Sequence, residues 1–344
     1  MSTDQLPYAH GGPVSHARVR SCPEDFRVNE DLGFEPSGEG QHRMVEIEKR
    51  DLNSDWVASQ IARLLGVKKR DVGLAGLKDR YAVTRQWFSV DMGGREEPQW
   101  QDLETLVQEG QSLKVLQVQP HNRKIRRGAL KGNRFQLILR EVEADVASIE
   151  ERLMQIKAHG IPNYFGEQRF GRVGDNVEKG LLMFQKAYRP RGRHERGLLL
   201  SAVRSEIFNQ VCAARIEQEN WDKPLQGDLF ALDGSRARFQ VDEIDEEIWS
   251  RIAEHHIHPT GPLWGRGKLE SGGEVSRLEH WVTQDLEEMR SGLEQAGLEQ
   301  DRRALRLVPR EVDWRWLEKG TLQLCFWLPA GSYATVVLRE LVKY

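Results

Sequence analysis

No run of about eighteen apolar residues occurs in this sequence, so a membrane-spanning helix is not expected. Its beginning, Met1 to Pro7, lacks a basic stretch followed by an apolar one, and no secretory signal is expected either. Cysteine is scarce. Cys22, Cys212 and Cys325 are odd in number and far apart, which argues against a disulfide framework and a zinc knuckle and fits reduced thiols in the cytoplasm. His255, His256 and His258 lack a carboxylate or cysteine at ligand spacing, so no metal is expected. Gly73 and Gly76 are not followed by the Gly-Lys-Ser/Thr of a phosphate loop, and no dinucleotide fingerprint follows any strand. Internal repeats and low-complexity segments are missing as well.

What remains is a chain of 344 residues, 39% hydrophobic and 30% charged, with the composition of a soluble globular protein. That length exceeds one ordinary core and predicts two domains. The net charge of −3 argues against a generic nucleic-acid binder, but its distribution is uneven. His121 to Arg134 carries Arg123, Lys124, Arg126, Arg127, Lys131 and Arg134 with no acid. Lys186 to Arg196 adds Lys186, Arg189, Arg191, Arg193 and Arg196 against Glu195 alone. Such stretches read either as a solvated surface or as a polyanion-binding face, and the two together tilt toward RNA.

Ser54-Asp55 is placed to cap a helix from Trp56 to Leu65, which Gly66 would stop. Alternation predicts strands around Val45 and Ile47, at Trp87 to Val90, over Leu113–Val118 and over Phe135–Leu139. Beyond Ala158 to Pro162 the texture becomes mainly helical, with Leu199, Leu200, Val203, Ile207, Phe208, Val211 and Ile216 at helical spacing. Leu322 to Leu328 alternates as a strand, and Pro329 to Ser332 turns the chain into a last helix, Tyr333 to Val342. Strands and helices without a regular βαβ rhythm indicate an α+β fold rich in antiparallel pairing.

The most informative stretch is Gly73 to Phe88, which sets Asp79 between Lys78 and Arg80 just after two glycines and just before an apolar run. From its neighbours alone Asp79 reads as a turn former, a base or a nucleophile. Four further segments accompany it: Pro23 to Val28 with Asp31 to Pro36, Gly128 to Phe135, Pro162 to Gly171, and Phe326 to Thr335. Together, and in this order, they resemble the TruD family of tRNA pseudouridine synthases nearly end to end.

The resemblance implies a pseudouridine synthase catalytic core over 1–157 and 307–344, with a largely antiparallel mixed sheet, interrupted by an inserted α/β TRUD domain over 158–306. It implies Asp79 as the nucleophile, Phe26 lining the uridine site, and Asn133 orienting base or ribose. Tyr333 stands where the family has Phe and keeps a ring for stacking. Arg20 stands where the family commonly has Lys, close enough to aim Asp79. Read without the family, Phe26 fits core packing, Asn133 a turn after Gly132, and Arg20 the surface. Asn163 to Arg172 interleaves aromatics with Arg169 and Arg172, as either an RNA-stacking segment or a packed hinge.

The implied activity is isomerisation of uridine to pseudouridine in tRNA, at position 13 of the D arm, in the cytoplasm. It requires no cofactor, and no obligatory protein partner or membrane is indicated. Arg123, Lys124, Arg126, Arg127 and Lys131 are the candidate RNA contacts. The alternatives are a non-catalytic RNA-binding or RNA-folding protein and a glycoside hydrolase, which needs a second carboxylate opposite Asp79.

Overall fold

The computed structural model describes residues 5–171 and 173–344. They form two compact units, each discontinuous in sequence. The first comprises residues 15–145, 310–331 and 343–344, and the second residues 5–14, 146–309 and 332–342. The chain enters the first unit as β1 (Arg18–Val19), β2 (Phe26–Asp31), β3 (His42–Arg50), α1 (Ser54–Leu64), β4 (Gly73–Leu74), β5 (Val83–Asp91), β6 (Ser112–His121) and β7 (Gly132–Arg140). It then builds the second unit through α2 (Val146–His159), α3 (Asn176–Phe184), α4 (Arg193–Glu217), β8 (Leu229–Leu232), β9 (Arg238–Gln240), α5 (Glu246–Ala253), β10 (Ile257–Leu263), α6 (Gly273–Thr283), α7 (Glu287–Gln295) and β11 (Asp301–Ala304). The hairpin β12 (Arg310–Glu318) and β13 (Thr321–Pro329) belongs to the first unit, and α8 (Ala334–Leu341) to the second.

The first unit is organised by a nine-stranded mixed sheet in the order β12-β13-β7-β2-β5-β3-β6, with β1 added on β7 and β4 on β5. Only the β2–β5 pair runs parallel among the described residues. The α+β expectation, with its antiparallel emphasis, therefore holds. Alternation buries Phe26 and Val28 on β2 and Val45 and Ile47 on β3, because successive side chains of a strand point to opposite faces. Helix α1 lays Val57, Ala58, Ile61 and Ala62 against Val45, Phe88, Val90 and Leu103, burying them almost completely. Each large aliphatic or aromatic side chain so covered contributes about 1.5–3 kcal/mol.

The helix stops as expected. Gly66 takes φ 65°, and the Val67 and Gly66 amides close back on the Ala62 and Arg63 carbonyls. Its start differs from expectation. Asn53, not Ser54, is the capping position, and the Asn53 side chain makes no capping bond. The Ser54 hydroxyl is spent on tertiary contacts instead.

In the second unit the 25-residue α4 runs through the interior, with Leu200, Val203 and Ile207 packed on Trp264 and Leu293. Beside it stands a four-stranded antiparallel sheet, β9-β8-β10-β11. Two charged pairs lie buried here. Arg215 grips Asp228 with two parallel bonds of 2.9 and 3.1 Å and also donates to the Asn220 and Lys223 carbonyls. Arg302 donates to Glu279 and Thr260, while Ser271 donates to Glu279. No helix among the described residues is long and apolar enough to cross a membrane.

Candidate active site

Asp79 sits in the irregular loop between β4 and β5, in the first unit. Of the two glycines preceding it, neither takes a positive φ. Gly73 is needed for close approach, since a Cβ there would run into the Ile125 carbonyl oxygen and Ser89 Oγ. The loop is then fastened from several sides. Ser54 Oγ accepts the Lys78 amide at 3.0 Å and donates to Gln86 at 2.7 Å, and Gln86 donates to the Gly76 carbonyl. Gly128 donates its amide to Ala75 at 2.7 Å, tying in the basic segment.

The three consecutive charges go to three different places. Lys78 turns inward and pairs with Glu30 at 2.8 Å, with 5% and 0% of the two side chains exposed. Arg80 turns outward and reaches Asp51 at 3.1 Å. Asp79 lies between, its side chain one-third exposed, and accepts from Arg20 Nη2 at 2.9 Å. Beneath it the wholly buried Lys49 donates to the Asp79 carbonyl at 3.0 Å and the Leu52 carbonyl at 2.6 Å. Burial pushes the Lys49 ammonium down to about 8, helped by Lys78 and opposed by Asp79 and Asp51. Burial raises Glu30 above the usual carboxylate range, against the pull of Lys78 and the Trp87 amide.

Arg20 and Phe26 stand with Asp79. The Arg20 guanidinium carbon lies 3.9 Å from the Phe26 ring centroid, and its backbone adopts φ 60°, a conformation disfavoured for a side chain of this size. Phe26 is 1% exposed, and its ring meets that of Phe135 at 75° with centroids 6.2 Å apart. Its face is therefore covered by Arg20. Asn133, on β7, is opposite Glu30 of β2 and Leu328 of β13, and its buried Oδ1 has no hydrogen-bond donor among the described residues.

Tyr333 belongs to the second unit, at the N-cap of α8. Its hydroxyl accepts from Arg169 at 3.1 Å, while Arg169 also donates to Ser201 at 2.9 Å. In the segment beginning at Asn163, Tyr164, Phe165 and Phe170 are all buried, which favours packing over exposed stacking. Arg172 lies outside the described residues.

Arg123, Lys124, Arg126 and Arg127 follow β6, around a buried Ile125 whose amide donates to Ser89 at 2.8 Å. Lys131, just before β7, bonds through its backbone to Asp31 and Ala330 and leaves its side chain exposed. The second basic stretch lies in the other unit, where Glu195 accepts the Arg191 amide and the Tyr188 hydroxyl. The three histidines considered for a metal are engaged elsewhere. His258 accepts from Arg306 and donates to Asp233, His255 meets the Ala158 carbonyl, and His256 lies beside Glu254.

Residue-by-residue reading had missed Glu30, Lys49, Ser54 and Gln86. For two of them a signal existed. Glu30 continues the inward alternation of Phe26 and Val28, and Lys49 that of Val45 and Ile47, so each puts a charge on a core face.

The first unit thus presents a partly exposed carboxylate, held by an arginine, above a buried lysine–glutamate pair and a second buried lysine. The chain matches the family model described as tRNA pseudouridine synthase D (TruD) over residues 3–190 and 183–341, and it belongs to that family. It is 48% identical over 341 residues to a tRNA pseudouridine synthase D of Methylococcus capsulatus, covering 99% of this chain and 95% of the relative. A protein of the same name from Hydrogenovibrio crunogenus is 42% identical over 343 residues, covering 100% and 97%. A crystal structure from Methanosarcina mazei, itself named only provisionally as a tRNA pseudouridine synthase D, shares the fold. Its TM-score is 0.74 at 23% identity, covering 98% of this chain and 96% of that one.

Proposed function

We propose that this chain isomerises uridine to pseudouridine in tRNA, at position 13 of the D arm, with Asp79 as the acting carboxylate. Full-length similarity to proteins named tRNA pseudouridine synthase D supports the tRNA isomerase reading. The observation carrying the residue assignment is the pose of Asp79, one-third exposed and aimed by Arg20 from a loop pinned through Lys49, Ser54 and Lys78.

The reaction breaks the N-glycosidic bond, turns the freed uracil and joins it again through carbon 5. Every substrate atom is kept, so no oxidant or energy source enters. A carboxylate beside an electron-poor sugar carbon either attacks it or removes a ribose proton to give a glycal, and Asp79 suits both. Arg20 holds the acid in direction. Asn133 Oδ1 is buried without a donor among the described residues, and once uncovered it would accept from the uracil N3–H. Phe26 serves a flipped base through the guanidinium stacked on it, or directly once Arg20 swings aside. Unstacking the target costs a few kcal/mol, and stacking of the freed base on an aromatic ring, at about 1–3 kcal/mol, offsets much of this.

In this reading the unit carrying Asp79 is the discontinuous catalytic domain and the chain between its segments supplies the TRUD domain, working on tRNA in the cytoplasm. Arg123, Lys124, Arg126, Arg127 and Lys131 meet tRNA phosphates. Tritium release from carbon 5 of labelled uridine in tRNA tests the reading. Release by the wild type and none by Asp79→Asn is expected. Binding without release would favour a non-catalytic RNA-binding protein.

A further inference from the structure

A cleft of about 650 Å³ opens in the first unit beside the basic segment, lined by none of Arg20, Phe26 or Asp79. Its floor is apolar backbone and side chain from β4 and Ile125, and Gly73 keeps that floor flush. Its walls carry five cations, Lys69, Arg70, Lys124, Arg126 and Arg127, against the single carboxylate of Asp55. Two of these cations were not among the residues expected to meet RNA. Lys69 and Arg70 come from the short turn after α1 and line the cleft together with the basic segment, their side chains half or more exposed.

Two of the cations meet Asp55. Its Oδ1 lies 3.2 Å from Lys69 Nζ and 4.0 Å from Arg127 Nη2, with half of its side chain exposed. Lys124 is anchored by donating to the Arg70 carbonyl, which ties the two walls together. Asp71 lies 4.0 Å from Arg70, and Asp55 is the half-exposed counter-ion shared by Lys69 and Arg127, which a stronger anion can replace. A phosphodiester brings the same charge with more acceptor oxygens, and RNA supplies it as a chain.

We propose that this cleft holds a backbone phosphate of the bound RNA, which takes the place of Asp55 between Lys69 and Arg127. The proposal rests on the reading that the substrate is RNA, and adds Lys69, Arg70 and Asp55 to its determinants.

The test uses the full chain and a fluorescent tRNA transcript, with Kd measured as a function of salt. Lys69→Glu/Arg70→Glu is compared with Arg315→Glu/Lys319→Glu, an equal change of charge on exposed residues of the β12–β13 hairpin. The cleft variant is expected to bind about tenfold or more weakly at ~0.1 M salt, with the slope of log affinity against log salt lower by about 2 units. Asp55→Asn is expected to bind about fivefold more tightly, the worth of one ion pair at about 4 Å in water. A cleft variant indistinguishable from the hairpin variant overturns the proposal, as does an Asp55→Asn that binds no tighter. Tritium release is followed in parallel. A wild type that binds with the expected slopes yet releases no tritium supports the cleft and overturns the isomerase reading alone.

Discussion

The charge around Arg215 in the second unit and the charge around Asp79 in the first are accommodated differently. In the second unit Arg215 and Asp228 meet through two bonds, and the remaining donors of Arg215 go to the Asn220 and Lys223 carbonyls. Arg302, Glu279, Thr260 and Ser271 close on one another in the same way. Under Asp79 the accounts are left open. Lys49 is buried with carbonyls and no carboxylate in hydrogen-bonding contact, and Asp79 points one-third of its side chain at solvent. A closed polar network fixes structure, whereas around Asp79 one carboxylate is left partly exposed above a buried ammonium.

The sharpest break in that comparison is Asp79→Asn. Asn preserves shape and the bond from Arg20 but cannot act as a nucleophile, so pseudouridine formation should fall about a thousandfold or more while tRNA binding persists. Single-turnover activity close to wild type would move the chemistry elsewhere.

Asp228→Ala probes the closed network. It strands Arg215 in the interior and should cost about 3–5 kcal/mol, read as a lower Tm and urea midpoint. A melting curve unchanged from wild type would deny that the pair holds the second unit together.

Lys49→Met asks what the buried ammonium does. Its proton is held less tightly in the folded chain, near 8, than in the unfolded one, near 10.5, so the unfolded state binds more protons between these values. Wild-type stability should therefore rise with pH from about 8 to 10.5, by about 3 kcal/mol relative to Lys49→Met, and stay parallel to it below pH 8. The variant should also lose turnover, because the Asp79 carbonyl loses its donor. Parallel stability curves across the whole range would mean that Lys49 is not buried as an ammonium.

The smallest effects are expected at Tyr333. If its ring stacks on the base, Ala forfeits about 1–3 kcal/mol, or about fivefold to 150-fold in rate. Phe keeps the ring but releases Arg169 from the hydroxyl, and should lose little. Equal loss in both variants would assign the role to the hydroxyl rather than to the ring.

Much of this site was legible in sequence, and the boundary of legibility is physical. Asp79, Arg20 and Phe26 fall together, and Gly66 ends its helix as its conformational freedom predicts. Glu30 and Lys49 were readable as charges in inward-facing strand positions. Ser54 was not, because a serine at a helix start looks like a cap, and its use by Lys78 depends on a loop 24 residues away. Phe26 shows the opposite error of scale. Its burial fits the core-packing reading of the residue alone, but the Arg20 guanidinium lying over its face depends on one left-handed residue. The partner of the Tyr333 hydroxyl, 164 residues distant, leaves no periodic trace at all.

The position of β13 in the sheet has a consequence for synthesis on the ribosome. β7, over Gly132–Arg140, is flanked on one side by β2 and on the other by β13, Thr321–Pro329. While the intervening residues are being translated, that second edge of β7 is a row of unpaired amides and carbonyls beside Leu137 and Leu139. The nascent first unit must wait with an adhesive flank until about 180 more residues have been added, and at about 5–20 residues per second this lasts roughly ten seconds or longer. Crowded polysomes would put such flanks side by side, making holdase chaperones most valuable to this chain before its last strand emerges.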